Sequence, residues 1–104
     1  AKALQKFEEA YELQVKLHGE EHAHTATVLS NMAVLVKRQG RYTEGLEMED
    51  KALGIKRRCL GSDSQSVAIS LLNLGSSYLE RGMMEESRAR LEEGLAITRR
   101  IHPE

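Results

Sequence analysis

Apolar residues recur at helical intervals along most of this chain. Leu29, Met32, Ala33 and Val36 fall three or four positions apart, and so do Leu71, Leu74, Gly75 and Tyr78. That spacing gathers each set on one helix face. It predicts a helix from about His24 to Gln39 and another from about Ser66 to Arg81. Gly40 and Gly82 come next, and glycine accepts the left-handed backbone that closes a helix. Second helices are then expected near Thr43 and Glu85. Glu44, Glu85 and Glu86 suit their first turns, while Lys56, Arg57, Arg58, Arg99 and Arg100 suit their last turns, because the helix dipole favours anions at the start and cations at the end. Gly61 breaks the chain again, and Ser64 or Ser66 can cap the next helix. Residues 1 to about 17 read as one more helix of the second type, closed by Gly19. No alternating strand pattern competes, so the chain reads as all-α with five helices.

The pattern is copied at a fixed interval. Shifted by 42 residues, Leu4 meets Leu46, Gly19 meets Gly61, Leu29 meets Leu71, Asn31 meets Asn73, Gly40 meets Gly82 and Arg58 meets Arg100. In all, twelve of the sixty-two overlapping pairs are identical, where composition alone would give roughly four. The organisation implied is a second helix of an incomplete repeat over 1–19, a complete repeat over 20–61 and another over 62–104. A lone helix pair of this length cannot bury its apolar face, so consecutive pairs are expected to stack. The expected architecture is an α-α superhelix, a solenoid with a concave surface lined mainly by first helices.

These residues resemble a known family. Leu71-x2-Leu74-Gly75-x2-Tyr78 is similar to the first-helix half of the tetratricopeptide pattern, and Ala3-x3-Phe7-x2-Ala10 to the second-helix half. Small residues Ala3, Ala10, Gly45, Ala52, Ser87 and Gly94 stand where the resemblance puts the closest helix approaches. The 42-residue period, with Ala52-Leu53-x-Ile55 and Leu60-Gly61-x-Asp63, resembles kinesin light chain and its relatives, including nephrocystin-like and bacterial proteins. Two departures stand out. The His-Pro that often comes after the loop glycine there is missing, and Glu49 occupies a position where a large apolar residue is expected, with Met48 beside it to fill the space.

The resemblance implies an extended peptide or partner helix bound in the concave groove. By register, the groove-facing candidates are Thr27, Ser30, Asn31, Val34, Lys37 and Arg38 in one first helix. Their counterparts in the next are Ile69, Leu72, Asn73, Ser76, Leu79 and Glu80. A carboxamide donates and accepts at once, so Asn31 and Asn73 are suited to grip a peptide backbone; the alternative is that each bonds a neighbouring helix or water. Lys37 and Arg38 can attract acidic groups, or else form a solvated helix end. Glu80 stands in the register of Arg38, so no continuous basic clamp exists.

Charge narrows the partners. Fifteen basic residues face sixteen acidic ones, a net charge of -1, which gives no pull toward nucleic acid or an anionic membrane. No apolar run approaches the ~20 residues that span a bilayer. A single Cys59 rules out an internal disulfide and fits a reducing, cytoplasmic setting; beside Leu60 it reads as packing, as do the four methionines, with Met83 and Met84 partly exposed. Tyr11, Tyr42 and Tyr78 fit interhelix packing. His18 and His22 stand four residues apart, but Gly19 and not Glu follows the first histidine and interrupts the helix, so the zinc-protease pattern is not met; with His24 they read as a solvated loop. No phosphate loop, nucleophile context, metal set or cofactor motif appears, so no enzyme is expected. Two functions remain: a scaffold that recruits a protein or peptide, and a structural module that forms homo-oligomers by stacking or swapping at the solenoid ends.

Overall fold

The computed structural model describes residues 2–61 and 63–103. Five helices lie among the described residues: α1 (Lys2–His18), α2 (Ala23–Arg38), α3 (Tyr42–Leu60), α4 (Gln65–Glu80) and α5 (Met84–Ile101). The glycine stops act where the pattern puts them. Gly40 (φ +88°) and Gly82 (φ +76°) adopt the left-handed conformation. At α2, the Gly40 N–H donates to Lys37 O at 2.9 Å and the Arg41 N–H to Val36 O at 3.2 Å. At α4, Gly82 and Met83 repeat the arrangement on Leu79 O and Tyr78 O at 3.0 and 2.9 Å. These paired bonds satisfy carbonyls that a helix end otherwise leaves open.

The chain divides into two compact units, Ala1–Cys59 and Leu60–Glu104. In the first, α2 packs against α1 and α3. Leu4, Met32 and Val36 form one buried cluster with Phe7, Val28 and Leu35 against it, and Ala26, Leu29, Ala52 and Ile55 form another. Tyr11 and Met48 touch both. The α2–α3 approach is nearly backbone to backbone. A Cβ on Gly45 would collide with the Lys37 stem and lie 3.1 Å from the Ala33 carbonyl. This closeness explains Glu49: it accepts a hydrogen bond from Lys37 Nζ at 3.0 Å, and both side chains are largely covered. An ion pair thus takes the place of the expected apolar contact.

In the second unit, α4 lies against α5. Val67, Ala68, Leu71, Leu74, Tyr78 and Ile97 are buried, each large one contributing about 1.5–3 kcal/mol of burial free energy. Small residues again set the spacing. A Cβ on Gly75 would stand 2.7 Å from Leu91 and 3.2 Å from the Ser87 carbonyl, and one on Gly94 2.9 Å from Leu72 and 3.2 Å from the Ala68 carbonyl. Ser87, buried, donates its hydroxyl to Gly75 O at 2.8 Å across that seam.

Each unit carries a matching loop tie. Arg58 grips Glu21 through two hydrogen bonds of 2.5 and 2.9 Å, and Arg100 grips Asp63 at 2.8 Å. Both arginines and both carboxylates are related by the 42-residue shift. The helix-end arginines therefore meet specific carboxylates as well as the helix dipole.

Some packing expectations need correction. Cys59 is exposed, and so is Tyr42. Each stands at an end of α3, where the buried face has run out. Ala3 is exposed too.

Candidate protein-binding faces

Successive helical residues turn by about 100°, so positions i, i+4, i+7 and i+11 form a narrow stripe. On α2 that stripe is Thr27, Asn31, Val34 and Arg38, and all four are exposed. On α4 it is Ile69, Asn73, Ser76 and Glu80, again all exposed. The register that pairs the two sets in sequence therefore also pairs them in exposure.

The other four candidates lie off the stripe, on the flank toward each helix's own partner. Lys37 leans on α3 and bonds Glu49. Its counterpart Leu79 is 48% exposed and lines a shallow recess with Met84, Leu91 and Leu95 of α5. Leu72 is half-buried against the Gly94 position of α5, and Ser30 is half-buried. Lys37 is thus committed to the hairpin interior, and Arg38 is the cation that the α2 stripe presents.

The stripes differ in chemistry. Asn31 and Asn73 bond no other described residue, so both carboxamides have their donor and acceptor turned outward. Arg38 and Glu80 likewise make no ion pair among the described residues. Val34 and Ile69, 40% and 50% exposed, supply apolar area beside the carboxamides. Thr27 is less available, because its hydroxyl donates back to Ala23 O at 3.1 Å.

No group of three His, Cys, Asp or Glu among the described residues is arranged to hold a metal ion. No described helix is long and apolar enough to cross a membrane.

The chain matches the tetratricopeptide repeat family over residues 1–56 and again over 26–100. It belongs to that family. Tetratricopeptide repeats form non-enzymatic scaffolds that bind protein partners. No curated protein matches the chain. The two overlapping matches are what a 42-residue internal repeat produces, since each spans more than one copy.

One structural role is not visible in the helical pattern. The pattern puts His22 in a loop, yet His22 is the N-cap of α2, its Nδ1 accepting the His24 N–H at 3.1 Å. The repeat carries the signal: position 22 is the register partner of Ser64, which caps α4 with the same bond.

Proposed function

We propose that this tetratricopeptide chain is a recruitment scaffold for an extended peptide or a partner helix, the exposed stripe of α2 being the candidate face of the first unit and that of α4 the candidate face of the second. The observation that carries the reading is the repeated outward carboxamide, Asn31 on α2 and Asn73 on α4, each exposed and each without an internal partner among the described residues. An unengaged donor–acceptor pair suits a ligand backbone, which offers its own donors and acceptors at regular intervals, and each unit supplies one such pair. Val34 and Ile69 add apolar contact, and Arg38 favours an acidic group in the ligand segment that crosses α2. An adaptor role like that of kinesin light chain, in a reducing cytoplasmic setting, accords with the 42-residue period and with the free Cys59 thiol.

The test is a peptide-display screen, with calorimetry on the hits. Asn31→Ala with Asn73→Ala should weaken binding about tenfold or more, at unchanged helicity. Arg38→Glu should weaken acidic peptides, while Lys37→Met should leave their affinity in place. Hits that bind the double alanine variant at full strength would remove the carboxamides from the site.

A second reading rests on a separate observation. Leu13 and Leu17 on α1 and Met84 and Leu95 on α5 are large apolar residues left exposed, which suits self-assembly through these faces. Concentration-dependent sedimentation that Leu17→Glu or Met84→Glu abolishes, and that the asparagine variants leave intact, would favour assembly over recruitment.

A further inference from the structure

The three histidines that look like a loop in sequence are brought into mutual contact by the fold. His18 ends α1, His22 caps α2 and His24 lies in the first turn of α2. The His18 and His22 rings stack with centroids 4.4 Å apart, and His24 meets them edge-on at 5.9 and 4.9 Å. The second repeat holds Leu60, Ser64 and Ser66 at these register positions. There the cap is a hydroxyl, Ser64 Oγ accepting the Ser66 N–H at 3.1 Å. In the first repeat the same bond, at the same length, ends on an imidazole nitrogen.

We propose that His22 makes the α1–α2 turn a proton-responsive joint, closed when its imidazole is neutral and loosened when a proton takes the nitrogen that caps α2. An imidazolium has two N–H donors and no acceptor. Protonating Nδ1 therefore ends the bond from the His24 N–H and sets two donors against each other. The new cation also lies at the positive end of the α2 dipole and against two further imidazoles. Carboxylates close in sequence do not relieve it: Glu20 faces Lys51 at 3.6 Å and Glu21 is held by Arg58. The basicity of His22 agrees, being held below the ordinary value of 6.5 by burial first and by His18 and His24 next. A folded state that binds its proton less readily than the unfolded chain loses stability as pH falls from about 6.5 through that lowered value. Thr25 Oγ1, which donates to Gly19 O at 2.9 Å, and the Arg58–Glu21 tie, whose carboxyl is held below its ordinary 4.5, both persist across this window. The response is thus a local loosening and not a global unfolding.

The second repeat is the internal control. In hydrogen-exchange NMR, protection of the His24 amide relative to the Ser66 amide should fall about fivefold between about pH 7.5 and about pH 5.5, the size of a lost cap. The His22 ring should titrate below 6.5, with Nδ1 unprotonated at neutral pH. His22→Ser, which copies the second repeat, should keep the cap and abolish the pH dependence of that ratio. An unchanged ratio in the wild-type protein overturns the proposal, and so does a His22→Ser variant that keeps the full response. The wild-type measurement stands whether or not the variant folds.

Discussion

The Lys37–Glu49 pair provides a sharp test of how the α2–α3 seam is built. The two side chains are 19% and 14% exposed and meet at 3.0 Å, between the regime of a solvated surface pair and that of a fully buried one. Exposed pairs contribute about 0.2–1 kcal/mol, while breaking a buried one costs about 3–5 kcal/mol because a charge is stranded. With most of each side chain covered but water still in reach, about 1–2 kcal/mol is expected for each of Lys37→Met and Glu49→Met. The double variant, by contrast, should recover near wild-type stability. Methionine keeps the stem that fills the space over Gly45 and supplies the apolar contact the family pattern favours at position 49. Urea denaturation of the four proteins gives the coupling energy directly, expected at about 1 kcal/mol or more. Single-variant losses that add in the double variant to within about 0.3 kcal/mol would show that the pair is a surface contact, and that Lys37 is as available to a ligand as Arg38.

Other consequences are simpler to check. Leu71→Ala, at a fully buried site of α4, should cost about 3 kcal/mol in the same denaturation assay, whereas Ile69→Ala two residues earlier should change stability by less than about 0.5 kcal/mol. Ser87→Ala should cost about 1 kcal/mol by removing the hydroxyl bond to Gly75 O across the α4–α5 seam. Gly40→Ala should destabilise by about 1 kcal/mol, since its φ of +88° is strained for any residue with a Cβ. The Glu21 carboxyl is held below its ordinary 4.5, chiefly by the Arg58 hydrogen bond. A depressed carboxylate stabilises the fold above its ordinary value, and the contribution fades as pH falls from there through the lowered value. Thermal melts between about pH 5 and pH 3 should therefore show a decline that Glu21→Gln reduces.

Much of the fold was legible because helices are local. Spacings of three and four residues place Leu29, Met32, Ala33 and Val36 on one face. Gly40 and Gly82 end helices through their own backbone freedom, and the 42-residue shift exposes the repeat without any knowledge of contacts. Exposure of the Asn31 and Asn73 stripes came from the same periodicity. What the tertiary structure decided lies between elements. Lys37 meets Glu49 twelve positions away, and Arg58 meets Glu21 thirty-seven positions away. Neither partner is visible to a helical period. The approach of α3 to α2 at Gly45 turned Lys37 from a ligand candidate into part of the hairpin seam. The fold likewise gathered His18, His22 and His24 around one turn. Such pairings depend on how closely two backbones come together, and that distance is set by side chains on both helices at once.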